Sequence, residues 1–122
     1  MASIEKLQHA IAAHASWKAR LRNAISTGKL DVAIGTVRVD DQCEFGKWLY
    51  GPELSAAEKQ SEHYTTVKQL HAQFHREAAT VAELATTGKK DAAEKALGID
   101  GSYQTASSAL TQAMTKWRMS LL

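Results

Sequence analysis

The stretch CEFGKW, residues 43–48, is the segment around which the rest of the chain is organised. It holds the single cysteine of the 122 residues, with a phenylalanine, a glycine and a tryptophan close behind the thiol. Asp40 or Asp41 is a suitable N-cap for a short helix that runs to about Tyr50. We therefore predict that Cys43 lies in the first turn of this helix, where backbone N–H groups favour its thiolate. The alternative is an inert, buried cysteine.

Three histidines in two other segments could complete a metal-ligand set with Cys43. His14 falls on the apolar side of the first helical segment, and His71 and His75 are four residues apart, so their rings share one helix face. One thiolate and three imidazoles form a complete tetrahedral set for zinc, at about 2.3 Å to sulfur and about 2.0–2.1 Å to nitrogen.

Four protein ligands leave no open position for water, which favours a structural or sensory zinc over a catalytic one. Each imidazole is expected to donate its other N–H to a carboxylate, a carbonyl or water. The residues alone leave two alternatives open. His14 could be a hydrogen-bonded core histidine, and the His71/His75 pair could be an accident of a helix surface.

Other chemistries fit the sequence less well. A blue-copper site needs two histidines, one cysteine and a weak axial methionine, and no methionine lies near these residues in sequence. A di-iron bundle needs Glu-x-x-His pairs, and none of the five histidines has a glutamate three positions before it. A Cys–His enzyme needs an orienting Asp or Asn and an oxyanion loop, so we predict no enzymatic activity. His9 and His63 are predicted to face solvent, outside the ligand set.

Apolar residues recur at steps of three and four through most of the chain, which is typical of amphipathic helices. The first such segment covers residues 3–27, before Gly28. Capping-box patterns predict a helix of about 33 residues from Ser55 and a short one over residues 91–97. A last helix from residue 102 should pack back along the first. We predict an all-α fold, an antiparallel four-helix-type bundle with an extra short helix that carries the cysteine ligand.

Composition and charge limit the partners and the cellular location that are expected for this bundle. The net charge of +2 is spread without Lys/Arg blocks, so nucleic acid is not an expected partner. No apolar run approaches the ~20 residues of a membrane span, and the N-terminus lacks signal-peptide features. A lone cysteine suits a reducing compartment. We predict one cytoplasmic domain over residues 1–122, in which residues 29–40 form an ordered loop or a short helical turn.

Three motifs, in this order, resemble the chemoreceptor zinc-binding (CZB) domain family: His14-x-x-Trp17, Cys43-x-Phe45-Gly46-x-Trp48 and His71-x-x-x-His75. The resemblance covers nearly the whole chain, and the CxFGKWL run is its most specific part. It implies a helical bundle that binds one zinc ion through His14, Cys43, His71 and His75. It also implies a two-fold homodimer. A second observation favours a dimer, because Trp48, Trp117, Tyr50 and the methionines exceed what one small bundle needs to bury.

Members of the family sit beside bacterial signalling modules, such as chemoreceptor signalling regions or diguanylate cyclases, and report zinc or oxidants that include hypochlorous acid. The resemblance therefore implies a sensory, regulatory domain with a fused or associated output domain and with Cys43 as the redox-sensing atom. Because no output domain occurs in these 122 residues, we expect an excised domain or a stand-alone protein. The alternative function is a helical dimerisation domain whose zinc is purely structural.

Overall fold

A computed structural model describes residues 3–122, which form a bundle of α-helices and contain no strand. The elements are α1 (Ile4–Thr27), α2 (Ile34–Arg38), α3 (Glu44–Tyr50), a 3₁₀ turn (Glu58–Gln60), α4 (Glu62–Thr86), α5 (Lys90–Leu97) and α6 (Ser102–Ser120). The predicted all-α bundle, with an extra short helix at the cysteine, is confirmed. Within the described residues, no helix is both long and apolar enough to cross a lipid bilayer.

The central element is α4, which packs against α1, α2, α5 and α6. Its buried residues follow the predicted steps of three and four: Tyr64, Val67, His71, Phe74, Ala78, Val81 and Ala85. Alanine occupies most of the C-terminal half of this face, and its small side chain lets the neighbouring helices approach closely. His71 and His75 lie in the middle of the same face, so the fold places both imidazoles in the core.

The ends of α1 form as the sequence predicts. The Ser3 side chain accepts a hydrogen bond from the Lys6 N–H, and Gly28 ends the helix in the left-handed conformation with φ of 73°. The carbonyl of Ala24 accepts the Gly28 N–H, which satisfies one of the open carbonyls of the last turn.

The predicted start of the long helix at Ser55 is wrong. Ser55 and Glu58 do exchange capping-box hydrogen bonds, at 2.9 and 3.1 Å, but these enclose only the 3₁₀ turn. The chain then becomes extended at Ser61, whose side chain accepts from the Tyr64 N–H and begins a new helix. As a result α4 has 25 residues, and the expected 33 were an overestimate.

The start of α5 also differs from the prediction, since Asp91 does not cap it. The helix begins at Lys90, and its preceding residue, Lys89, makes no side-chain capping bond. The chain enters α5 directly from Gly88, whose φ is 81°, while the Lys89 N–H donates to the carbonyl of Leu84 at 2.9 Å. The turn that ends α4 therefore sets the start of α5 and leaves no room for a separate cap.

A close crossing of the backbone positions α3. A Cβ atom added to Gly46 would overlap the carbonyl oxygen of Asp40, so only glycine allows the chain to pass there. At the far end of α3, Leu49 is fully buried and its carbonyl accepts the Tyr64 hydroxyl at 2.9 Å. The short helix is therefore held at both ends, more firmly than its Phe45 and Trp48 side chains alone would achieve.

Most of the large side chains that were expected at a dimer interface are buried within a single chain. Trp48 and Trp117 are buried within one chain and their rings lie 5.6 Å apart. Met114 is fully buried as well. Among the members of this group that the structure describes, only Tyr50 and Met119 are exposed, so the bundle itself buries the others.

Candidate metal centre

Three separate elements bring the four predicted ligands together. His14 projects from the middle of α1, Cys43 precedes α3, and His71 and His75 lie one turn apart on α4. One potential ligand atom of each residue lies within 4.8 Å of those of the other three. Residues that are 57 positions apart in sequence, such as His14 and His71, thus meet in one cluster.

The separations within the cluster suit a small tetrahedral cation. The Nε2 atom of His71 lies 3.0 Å from Nε2 of His14, 3.0 Å from Nε2 of His75 and 3.3 Å from Sγ of Cys43. Tetrahedral zinc bond lengths imply about 3.4 Å between two nitrogens and about 3.6 Å between nitrogen and sulfur. The four side chains therefore need only small outward shifts to enclose such an ion.

Backbone carbonyls orient two of the imidazoles. Nδ1 of His14 donates to the carbonyl of Ala10 at 2.7 Å, and Nδ1 of His75 donates to the carbonyl of Val37, in α2, at 2.9 Å. Each bond places the proton on Nδ1 and leaves the Nε2 lone pair free to face the cluster. Nδ1 of His71 is buried and has no protein partner among the described residues.

The predicted N-cap at Asp40 or Asp41 is wrong, because Cys43 itself is the N-cap of α3, two or three residues later, and so does not lie in the first turn. Its Sγ atom accepts the Gly46 N–H at 3.3 Å. Burial nevertheless raises the pKa of the thiol, although the backbone N–H groups of Gly46 and Phe45 oppose that shift. The backbone N–H groups at this helix end therefore favour the thiolate, as expected, but burial outweighs them, and a bound cation would restore the ionised form of this sulfur.

The three imidazoles are held neutral, which is the form that binds metal. Burial lowers the pKa of His14 to about 4 and that of His71 to about 2. It also lowers the pKa of His75, although the hydrogen bond to Val37 works in the opposite direction. Three neutral nitrogens and one ionisable sulfur form a donor set of the kind that zinc prefers.

Two phenylalanines enclose the cluster. The Phe74 ring contacts the His14 ring edge-on at 5.1 Å, and the Phe45 ring contacts that of His71 at 5.1 Å. Neither Phe74 nor the Val37 carbonyl was identified as part of the site from sequence. The step of three from His71 to Phe74 could have indicated the first, whereas no sequence signal marks a carbonyl.

The remaining histidines lie outside the cluster, as predicted. His9 is exposed on α1, whereas His63 is half-buried at the start of α4 and so is less accessible than expected. Neither belongs to the group of residues that could hold an ion.

The metal-free protein is expected to lose stability as the pH falls below about 6.5. The pKa values of His14 and His71 in the folded chain lie well below their ordinary 6.5, so between pH 6.5 and about 4 the unfolded chain takes up protons that the folded chain does not. Two such groups lower the free energy of unfolding by about 3 kcal/mol per pH unit in that window. Above pH 6.5 their contribution is constant.

Urea unfolding in the presence of a chelator, at several values between pH 7.5 and 5, measures this slope. Replacing His71 by alanine should remove about half of it. A free energy of unfolding that does not change between pH 7.5 and 5 would contradict the burial of neutral imidazoles.

Comparison with known proteins agrees with the geometry. A family model described as the chemoreceptor zinc-binding domain matches residues 14–82, a region that begins at His14 and includes Cys43, His71 and His75. A search of the curated proteins gives no significant match, and neither does a search of the solved structures. The family match covers more than half of the chain and includes every member of the His/Cys cluster. The chain therefore belongs to the chemoreceptor zinc-binding domain family.

Proposed function

We propose that this chain is a zinc-binding sensory domain of a bacterial signalling protein, of the chemoreceptor or diguanylate cyclase type. Its zinc would be held by His14, Cys43, His71 and His75. The observation that carries the proposal is the convergence of these four side chains from α1, α3 and α4 on one buried point. An ion there would tie together three elements that are otherwise joined by packing and by the hydrogen bond from the Tyr64 hydroxyl to the Leu49 carbonyl.

The donor set supports zinc as the ion. Neutral imidazoles and a single sulfur suit zinc, whereas magnesium and calcium prefer oxygen ligands. When bound, zinc would keep the Cys43 sulfur as a thiolate despite the burial that otherwise raises its pKa. The site has a protein ligand for each tetrahedral position, so the domain is proposed to regulate and not to catalyse.

The Cys43 sulfur is the proposed sensing atom for oxidants such as hypochlorous acid. The thiolate attacks chlorine, an S–Cl bond forms and hydroxide leaves. Water then displaces chloride, which gives a sulfenic acid and a proton. Sulfur is oxidised by two electrons, the chlorine is reduced to chloride, and the sulfur loses its negative charge. The sequence contains no second cysteine, so an external thiol is needed to reverse the change.

The structural change that follows oxidation of Cys43 should be concentrated at the start of α3. There the Gly46 N–H donates to Sγ of Cys43, and the Phe45 ring packs on His14 and His71. The other end of α3 is anchored by Leu49 and by the Tyr64 hydroxyl. Oxidation should therefore loosen the first turn and alter its packing on α1 and α4, and these long helices can carry the change to a fused or associated output domain.

We also propose the extent of the domain, its oligomeric state and its cellular location. Because α6 packs on both α4 and α1, residues 1–122 are proposed to form one domain that extends beyond the matched region. A homodimer is proposed on the resemblance to the family, and a cytoplasmic location on the single free cysteine, which suits a reducing compartment.

Sub-stoichiometric hypochlorous acid is expected to produce a trappable sulfenic acid at Cys43 and to speed amide exchange at residues 44–47 more than at residues 48–50. Met119 is 60% exposed and would compete for the oxidant, so the experiment is best run in a Met119→Leu background. Mass spectrometry of the trapped adduct and of the exchanging amides gives both readouts. Cys43→Ser in the same background is the control, which should show neither change.

Two results would favour the alternative, a dimerisation domain with a structural zinc. In one, Cys43 stays unmodified while zinc remains bound. In the other, Cys43 is oxidised but exchange at residues 44–47 does not change. Either result would remove the sensing role and leave the zinc site as a crosslink between helices.

A further inference from the structure

A cleft of about 290 Å³ lies between α1 and α3, beside the metal centre. At ~30 Å³ for each water in the liquid, this volume corresponds to roughly ten waters. His14 and Cys43 line the cleft, whereas His71 and His75 do not. Of the four candidate ligands the three histidines are buried and Cys43 is half-buried, so the cysteine is the ligand that a molecule in the cleft can reach.

We propose that this cleft is the entrance through which small, uncharged reactants reach the Cys43 sulfur, and that it disfavours anionic and bulky ones. This inference rests on the proposed function, because it names the class of reactant that acts on the same sulfur. Hypochlorous acid and hydrogen peroxide, both small and uncharged, belong to that class.

The walls and the rim of the cleft account for this selectivity. Ala13, Trp17 and Phe45 belong to the apolar part of a mixed lining, and this part hydrates a charged reactant poorly. Two carboxylates, Glu5 and Glu44, lie at the cleft with one ammonium group, Lys6. The Arg20 guanidinium lies 3.9 Å from the centre of the Trp17 ring, but it pairs with Asp31 at 2.9 Å. The carboxylates that remain outnumber the ammonium, so the local potential opposes an approaching anion.

Two neighbouring alanines of α1 allow a matched test of access. Ala13 lines the cleft, whereas Ala12 does not, and both are exposed. Ala13→Trp should slow the alkylation of Cys43 by iodoacetamide roughly tenfold, and Ala12→Trp should leave the rate within about twofold of the parent chain. In this reaction a C–S bond forms at the methylene carbon as the C–I bond breaks and iodide leaves.

Iodoacetate tests the charge preference, because it has the size and chemistry of iodoacetamide but carries a negative charge. The folded chain should prefer iodoacetamide more strongly than the same chain does in urea. Glu5→Gln should reduce that preference by about twofold, since it removes a rim charge from α1 without altering the residues next to Cys43.

Equal alkylation rates for the Ala13→Trp and Ala12→Trp variants would show that the cleft is not the route to Cys43. A preference between the two reagents that is the same in the folded and the unfolded chain would overturn the selectivity, and that comparison needs no substitution in α1. All rates are compared at equal metal content, with circular dichroism as the check on folding. They can therefore be interpreted whether or not zinc binds, and the failure of this inference differs from the failure of the proposed function, which metal analysis reveals.

Discussion

His71→Ala is expected to weaken zinc binding by roughly two to three orders of magnitude. Nε2 of His71 lies 3.0 Å from the Nε2 atoms of His14 and His75 and 3.3 Å from Sγ of Cys43, so its removal opens one side of the whole cluster. Structural zinc sites with four ligands bind with about 10–16 kcal/mol, and one ligand of four accounts for about 2.5–4 kcal/mol of this. A competition titration against a chromogenic chelator measures the change.

His63→Ala is the matched control, because His63 lies on the same helix but outside the cluster. It should bind zinc as tightly as the parent chain. The His71→Ala variant should still fold without metal, because alanine removes a buried Nδ1 atom that has no protein partner within residues 3–122 and so offsets part of the lost packing. Equal zinc affinities for the two variants would exclude His71 from the site.

Gly46→Ala is expected to lower the free energy of unfolding by about 3 kcal/mol or more. The added methyl would overlap the carbonyl oxygen of Asp40, and backbone atoms cannot give way as the end of a flexible side chain can. The forced displacement would move the first turn of α3, which contains the Gly46 N–H that donates to Cys43 Sγ. Zinc affinity should therefore fall together with stability.

Gly35→Ala is the control for the general effect of this substitution. Gly35 lies within α2, and a Cβ atom there would meet no atom within 4 Å. Because alanine favours a helix by about 1 kcal/mol over glycine, this variant should be as stable as the parent chain or slightly more so. Urea unfolding of both variants without metal measures the difference. A Gly46→Ala variant as stable as Gly35→Ala would contradict the close crossing at Asp40.

The sequence predicts most of the fold because the periodicity of apolar residues survives in the structure. Every residue of the predicted α4 seam from Tyr64 to Ala85 is buried, and Gly28 ends α1 as expected. Starts of helices were harder to place, since the capping pattern at Ser55 is real but encloses a 3₁₀ turn. Local hydrogen bonds show where a turn can begin, but they do not show how far the helix will continue.

The four clustered residues could be named from sequence because ligand type and helix face are both visible there. Their environment could not be predicted. The carbonyls of Ala10 and Val37 that orient His14 and His75 belong to the backbone, and any residue could supply them. The net shift of the Cys43 pKa could not be predicted for a related reason, because the burial that raises it depends on elements distant in sequence and outweighs the local helix end.

X-ray absorption at the zinc edge of the purified chain is the decisive measurement for the proposed site, because it reports both the metal and its ligands. We expect one zinc per chain, with three nitrogen neighbours at about 2.0–2.1 Å and one sulfur neighbour at about 2.3 Å. Those neighbours would be His14, His71, His75 and Cys43, the four residues that the fold brings together. A protein purified without chelators that contains no zinc, or a zinc shell without sulfur, would contradict it.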